Sequence, residues 1–337
     1  MYNIAIVGVT GAVGVKMLEV LNTRNFPIKE LRIFASEKSK GKKISFRNEE
    51  YVVDIIQEDS FNNTHFVFCS ADSSISKKIG PLVRKANSIL IDDGNAFRME
   101  ENVPLVVPEV NEEDVDWHQG IVSIPNCTTT PLVMILHALN KYAQIQRVNV
   151  STYQAVSGAG AQAVQELLEQ TEQLVQHKQI TPSIFSEQII MNVIPQVDDF
   201  ESNGYTKEEM KIVNETRKIL HLDNLSVSAT CTRVPTMVGH CESVLVDFDQ
   251  EVDIEEVIKI ISKQEGVVCR DFDNINNYPT PLNSTLDENV YIGRIRKDLS
   301  NKNSILFWLV SDNLLKGAAT NAVQIAESII KRNKLDY

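Results

Sequence analysis

Short apolar runs recur through the first part of the chain, separated by turn residues and by stretches with helical spacing. Ile4–Val7 leads through a glycine turn into a helical pattern that runs to Leu21. Leu31–Ala35, Phe66–Cys69, Ile89–Ile91 and Ile121–Ile124 repeat the strand signal. Strands alternating with helices in this way predict an α/β unit built on a Rossmann-type, doubly wound parallel sheet. From Val148 the rhythm changes. Longer β-rich runs appear at Val148–Val156, Val227–Val234, Glu242–Phe248 and Ser304–Val310, with helical patterns at Ala161–His177, Lys207–Leu220 and Ile254–Lys263. This half predicts an α+β domain with a mixed or antiparallel sheet, one face of which is available to a second subunit. A last helix, Leu314–Asn333, carries Ala318, Ala322, Ile325 and Ile329 at helical spacing, and the Asn- and Pro-rich Asp271–Asn289 reads as an irregular loop.

The first polar interruption with chemical content is Asn126-Cys127-Thr128-Thr129-Thr130. It falls where the strand ending at Ile124 gives way to an apolar helical run from Leu132 to Leu136. The threonines suit helix capping. A thiol at a helix N-terminus feels the positive end of the macrodipole, which favours thiolate, so Cys127 is a candidate nucleophile. A free cysteine is more often a small buried hydrophobe, but these polar neighbours argue against that reading.

Length and composition narrow the field. At 337 residues the chain has room for two cored domains, and 43% hydrophobic with 23% charged residues describes an ordinary globular protein. A net charge of -12 argues against nucleic-acid or anionic-membrane partners, so any anionic substrate must be held by locally placed Arg and Lys. Cys69, Cys127, Cys231, Cys241 and Cys269 are scattered without C-x-x-C spacing, which suits a reducing compartment and gives no metal site. No signal-like or membrane-spanning run is visible, so a cytoplasmic location is expected.

Gly8-Val9-Thr10-Gly11-Ala12-Val13-Gly14 follows the first strand and opens a helix. Such glycines permit a tight turn and close approach of a pyrophosphate to a helix N-terminus. An NAD-specific site places an acid after the second strand to bind the ribose 2′-hydroxyl. Here Ala35-Ser36-Glu37-Lys38-Ser39-Lys40-Gly41-Lys42-Lys43 offers hydroxyls and lysines, which favours NADP; Glu37 is the discordant residue. In the second half, His240 follows Arg233 across a connection with Pro235 and Gly239, so both are expected at one mouth of the sheet. Glu208 and Lys211 share a helix face at i,i+3, a spacing that by itself favours a solvated ion pair. Gln154 ends a strand ahead of Ser157-Gly158-Ala159-Gly160, a turn open enough for a cofactor ring to approach the backbone.

Taken in order, these segments resemble the aspartate-β-semialdehyde dehydrogenase family from Ile4 to about Ile330. The match also takes in Val106-Val107-Pro108-Glu109-Val110-Asn111, His240-Cys241-Glu242-Ser243-Val244, Tyr291–Arg296, Asp312-Asn313-Leu314 and Lys316-Gly317-Ala318-Ala319. The resemblance implies NADPH-linked reduction of aspartyl phosphate through a Cys127 acyl thioester, with His240 as general acid/base and Gln154 orienting the substrate. It implies that Arg233 holds the substrate carboxylate, Glu208 its ammonium, and Arg98, Asn126 and Lys211 its phosphate. Gly8, Thr10, Gly11, Ala12, Val13, Ser36, Lys38, Ser39, Ser70, Ser157, Gly158 and Asn321 are implied in cofactor binding. Residues 1–126 with 314–337 would form the NADP-binding domain and 127–313 the catalytic and dimerisation domain of a homodimer or homotetramer. Three places depart from the usual pattern: Asp72 where glycine is common, the Asp93-Gly94-Asn95-Ala96 run, and Pro131. An Asp72 side chain turned inward would repel cofactor phosphates. The nearest alternative is an N-acetyl-γ-glutamyl-phosphate reductase, which Glu208 argues against because an acetylated substrate has no ammonium. A non-catalytic dinucleotide-binding sensor is the alternative of another class.

Overall fold

A computed structural model describes residues 1–270 and 277–336. The chain divides into two compact units, Met1–Asn126 with Ala318–Tyr337, and Cys127–Gly317. The second crossing lies past Gly317, later than Leu314, because the segment after the last strand is tied down first. The Asp312 side chain accepts from the backbone N–H groups of Leu286, Leu314 and Leu315, and the Asp312 carbonyl accepts from Gly317.

The first unit is built on β1 (Tyr2–Val7), β2 (Ile28–Phe34), β5 (Phe66–Cys69), β6 (Ile89–Asp92) and β7 (Ile121–Ser123). All pairings are parallel, in the order β2-β1-β5-β6-β7. Every residue of β5, β6 and β7 is buried, so these strands read as continuous apolar runs and not as alternation. A small antiparallel hairpin, β3 (Lys43–Phe46) with β4 (Glu49–Val52), turns through Arg47 and Asn48, both at positive φ (48° and 66°). Two positive φ values make this the twist-matched two-residue turn of hairpins. Around the sheet lie α1 (Ala12–Thr23), α2 (Ser73–Lys85), the short α3 (Pro108–Asn111) and, from the end of the chain, α8 (Thr320–Lys331). Helix α8 is seated by Asn321, whose side-chain amide donates to the Val106 carbonyl at 2.8 Å, and by Arg24, which pairs with Glu327 at 2.6 Å.

The second unit holds a six-stranded mixed sheet. Its strands are β8 (Ile145–Gln154), β9 (Ser226–Arg233), β10 (His240–Phe248), β11 (Val267–Cys269), β12 (Val290–Lys297) and β13 (Ser304–Ser311). The order is β11-β12-β13-β10-β8-β9, with the outermost pair parallel at each edge and the inner pairs antiparallel. The remaining helices are α4 (Thr129–Asn140), α5 (Ala161–Val175), α6 (Lys207–Leu220) and α7 (Ile254–Ile261). Leu132 to Leu136 of α4 are all fully buried, which is why that helix is apolar almost all round.

Two expectations change. The last α-helix starts at Thr320, preceded by a wider turn at Leu315–Ala319, because Asp312 draws the preceding amides onto itself. The loop expected over Asp271–Asn289 lies partly outside the described residues; within it, Pro281–Asn283 forms a short 3₁₀ turn. Among the described residues, no helix is long and apolar enough to cross a membrane.

Candidate active site

In the first unit, the turn after β1 is shaped by steric necessity. Gly8 sits at φ 85°, and a Cβ there would fall 2.1 Å from the Ser70 carbonyl oxygen. Gly14 is as tightly constrained, with the Gly8 carbonyl oxygen 2.2 Å from where its Cβ would stand. Helix α1 starts at Ala12 and Val13 without a side-chain cap at Gly11, so its first N–H groups lead toward the exposed turn of Thr10 and Gly11. That arrangement fits a dinucleotide pyrophosphate. Thr10 lies 3.3 Å from the Ser39 hydroxyl, which joins the turn after β1 to the short helix after β2. Ser36 and Lys38 are exposed there, as is Glu37.

Asp72 does not carry a free charge into this turn. It is the N-cap of α2, accepting from the Ser74 hydroxyl and from the Ser74 and Ile75 amides, and the Ser74 hydroxyl above all holds its pKa low. Ser70 donates to Asp93 Oδ2 at 3.0 Å, and Arg98, buried, donates to the Asp93 carbonyl at 2.7 Å. Burial raises the Asp93 carboxyl to about 6, against the opposing charge of Arg98.

The second unit gathers most of the remaining residues. Cys127 is half-buried directly ahead of α4. Thr128 occupies the N-cap of α4 but does not cap it through its side chain. Its backbone is already helical (φ -89°, ψ -34°), whereas a capping hydroxyl needs the extended conformation to reach back to the second or third amide. Behind the thiol, a Cβ on Gly317 would come within 2.9 Å of the Cys127 Cβ. Burial pushes the thiols of Cys69, Cys231 and Cys241 up, that of Cys241 to about 12.

Gln154 ends β8 and Arg233 ends β9, at paired positions of the ladder. The Gln154 amide donates to Glu208 at 3.0 Å and its oxygen accepts from Thr152 at 2.9 Å. Glu208 is buried, and Lys211 donates to its second oxygen at 3.0 Å and to Asp198 at 2.9 Å. Burial works against the Lys211 ammonium, but Glu208 and Asp198 outweigh it and hold its pKa above the ordinary lysine value. Glu208 and Lys211 sit on α6, whose start is fixed by a reciprocal cap between Thr206 and Glu209. Glu209 also accepts from the Cys231 amide at 2.9 Å, which anchors α6 to the outer edge of β9.

The Arg233 guanidinium donates to the Ala155 carbonyl at 2.7 Å and has the Phe185 ring 6.0 Å away. Burial pulls its pKa down, while the charges of Glu208 and Cys127 oppose that, so the guanidinium lies within electrostatic reach of the thiol. His240 is fully buried at the start of β10, and its Nδ1 accepts from the Ala155 amide at 3.0 Å. A Cβ on Gly158 would come within 3.0 Å of His240 Nε2 and 3.1 Å of an Arg233 nitrogen. Asn313 completes the frame, bonding the Ser157 hydroxyl and accepting from the Gly239 amide at 2.9 Å.

Cys127, Gln154, Ser157, Gly158, Glu208, Lys211, Arg233 and His240 therefore lie in one unit. Arg98, Asn126, Asn321 and the residues of the glycine turn lie in the other. The family model for the semialdehyde dehydrogenase NAD binding domain matches residues 3–118, and that for the dimerisation domain matches residues 136–316. An aspartate-semialdehyde dehydrogenase of Bacillus subtilis is 44% identical over 98% of both chains, and one of Aquifex aeolicus is 45% identical over the same shares. The chain belongs to the aspartate-semialdehyde dehydrogenase family. The solved structure of aspartate semialdehyde dehydrogenase II from Vibrio cholerae superposes with a TM-score of 0.96 at 40% identity, covering 98% of this chain and 99% of that one. A structure of that protein complexed with ASA superposes at 0.95.

Some residues that shape this site were given no role by their motifs or chemistry. Ala155 acts through its backbone alone, so its methyl side chain gives no chemical signal. Gly317 stands inside a matched segment, yet only its distance to Cys127 gives it a purpose. Glu209 and Asn313 are buried polar residues; the first shows in the sequence only within a helix-start pattern, and the second stands in the matched Asp312-Asn313-Leu314 segment without a role assigned to it.

Proposed function

We propose that this chain catalyses the NADPH-dependent reductive dephosphorylation of L-aspartyl 4-phosphate to L-aspartate 4-semialdehyde, and the phosphorylating oxidation in reverse. In that reading it serves lysine, methionine, threonine and diaminopimelate synthesis in the cytoplasm. Cys127 is the nucleophile, forming an acyl thioester as phosphate leaves. Gln154 orients the acyl group, and His240 is the general acid/base. Arg233 takes the α-carboxylate as a fork, and Glu208 the α-ammonium. Lys211, Arg98 and Asn126 hold the phosphate. The uncapped start of α1 and the tight turn at Gly8 fit a dinucleotide, and Thr10, Ser36, Lys38 and Ser39 stand where a ribose 2′-phosphate would be bound. Bound NADPH supplies the hydride. Residues 1–126 with the C-terminal helix form the nucleotide domain, and the intervening residues the catalytic and dimerisation domain.

The observation that carries this reading is Glu208. A carboxylate held on one oxygen by Gln154 and on the other by Lys211, near the Arg233 charge, is what a zwitterionic amino-acid substrate requires. An acetylated substrate offers that buried anion no ammonium of its own. The test is NADP reduction by aspartate semialdehyde, with and without phosphate, set beside N-acetylglutamate semialdehyde. Phosphate-dependent NADP reduction with the first aldehyde alone is expected; equal or better use of the acetylated aldehyde overturns the assignment.

The six-stranded sheet leaves Tyr153 exposed and Trp308 half-buried on the face opposite His240 and Glu242, their rings 5.3 Å apart. Aromatic residues exposed on a sheet face support homodimer formation through that face.

A further inference from the structure

Asp198 is bonded to a substrate-site residue and has no role in the chemistry described so far. Lys211 donates to Asp198 Oδ2 at 2.9 Å and to Glu208 Oε2 at 3.0 Å, so one ammonium is divided between two carboxylates. The other oxygen of Glu208 accepts from Gln154, whose own oxygen accepts from Thr152. A line of bonds thus runs from the connection ahead of α6, through that helix, to the buried end of β8. Side-chain exposure falls along it, from 32% at Asp198 to 20% at Lys211 and 6% at Glu208. Glu208 is the least hydrated of the three charges, so it is the most sensitive to how much positive charge its neighbour lends it.

Asp198 is placed from two sides. Four residues earlier, Ile194 exchanges backbone hydrogen bonds with Arg233, its N–H donating at 3.0 Å and its carbonyl accepting at 2.8 Å. One residue later, the Asp199 carbonyl accepts from the Lys207 amide at 2.8 Å and its carboxylate pairs with Lys207 Nζ at 2.7 Å, which ties the connection to the first turn of α6. Between these ties Asp198 takes φ 68°, a left-handed conformation that Asp and Asn adopt more readily than other non-glycine residues. Its Oδ1 accepts from the Asp199 amide at 2.8 Å, and Oδ2 meets the ammonium.

Glu208 and Lys211 alone would make a neutral pair. Two carboxylates with one ammonium leave one negative charge in the trio. An ammonium ligand gains from that charge, and a phosphate drawn to Lys211 is opposed by it. Arg233, a further cation within electrostatic reach of Glu208, takes the substrate α-carboxylate in the proposed reading.

We infer that Asp198 is a positioning residue for substrate selection: by sharing the Lys211 ammonium it leaves Glu208 an incompletely compensated anion, which favours an aldehyde carrying an α-ammonium over one that lacks it. This rests on the function proposed above and adds to it how the site discriminates. Neutralising Asp198 moves the two substrates in opposite directions, because Lys211 then compensates Glu208 more fully and the net charge no longer opposes phosphate.

The test uses the full chain and compares L-aspartate semialdehyde with succinate semialdehyde, which keeps a carboxylate and lacks the ammonium. Asp198→Asn removes the charge and keeps a residue suited to the left-handed turn. It is expected to lower kcat/KM for aspartate semialdehyde about 5-fold, the size of a partly exposed charge effect, to leave that for succinate semialdehyde unchanged, and to lower KM for phosphate. Asp199→Asn removes the same charge one residue away and is expected to leave the ratio of the two aldehydes unchanged. An equal loss with both aldehydes in Asp198→Asn, or the same shift of ratio in Asp199→Asn, overturns the inference. A readout without turnover separates it from the proposed function: protection of Cys127 from iodoacetamide by L-aspartate and by succinate, read by peptide mass. The wild type is expected to need less aspartate than succinate for half protection, and Asp198→Asn to lose about 5-fold of that preference. A preference that the substitution leaves unchanged overturns the inference. A preference reduced as expected in a protein that turns over neither aldehyde overturns the proposed reaction alone.

Discussion

Gly158 is the residue at which one added methyl group has the clearest consequence. Its missing Cβ leaves 3.0 Å to His240 Nε2 and 3.1 Å to Arg233, and both of those side chains are bonded to Ala155, so neither can give way without losing a hydrogen bond. Gly158→Ala is expected to cut kcat/KM by on the order of 10²-fold, about 2.7 kcal/mol of transition-state stabilisation, with little change in Tm. A parallel fall in Tm and activity would instead assign the glycine to folding. At this scale the sequence was informative where chemistry and position coincide, as at Cys127, ahead of an apolar helix. By spacing alone Glu208 and Lys211 read as a solvated ion pair; they do form that i,i+3 pair, but on a buried carboxylate that also holds Gln154. Ala155 was not legible, because its role is carried by peptide groups that every residue has.

At the level of elements, the C-terminal end of β6 concentrates two acids. Asp92 accepts from Ser76 at 2.6 Å and Asp93 from Ser70 at 3.0 Å. Burial raises Asp93 to about 6, above its ordinary value, so the folded protein binds this proton more tightly than the unfolded chain. The sign follows: between about pH 4 and about pH 6 this residue makes stability fall as pH rises, and above that range the contribution stays lost. Asp93→Asn is expected to flatten that part of the curve of denaturation midpoint against pH. An unchanged slope would contradict the raised carboxyl.

The long connection after α5 depends on a different buried acid. Glu166 accepts from the Ser183 amide, the Ser183 hydroxyl and the Ile184 amide, and Gln170 one turn later accepts from the Ile189 and Ile190 amides. Glu166→Ala leaves those donors unpaired and is expected to cost about 2 kcal/mol, with faster hydrogen exchange at Ser183 and Ile184. Undisturbed exchange there would show that the connection is held by other contacts. Strands β1, β2, β5 to β10 and β13 were readable because they are short apolar blocks between turns, whereas β11 and β12 were not read as strands. The β3–β4 hairpin was not, since its strands are rich in Lys and Glu and its turn uses Arg47-Asn48 where Asn-Gly is the usual signal. The threonines after Cys127 misled in the opposite sense: their composition suits a cap, but the backbone has already entered the helix at Thr128.

For the whole molecule, the change from a parallel α/β rhythm to longer β-runs is the signal the sequence offers for two units, and the chain divides between Asn126 and Cys127. The return of the C-terminal helix to the first unit rests on contacts such as Asn321 to Val106, which lie 215 positions apart and have no local signature. The face carrying Tyr153 and Trp308 is expected to hold two copies together. Trp308→Asp should shift sedimentation from twice the chain mass toward the single chain, and an unshifted dimer would place the interface elsewhere. The central claim is that Cys127 carries the acyl group, and it is tested most directly by intact-mass and peptide analysis after exposure to aspartyl phosphate without reductant. One aspartyl adduct is expected, on Cys127, absent from Cys127→Ala and released as aldehyde when NADPH is added. An active protein that forms no adduct, or forms it on Cys69, Cys231, Cys241 or Cys269, would contradict the account.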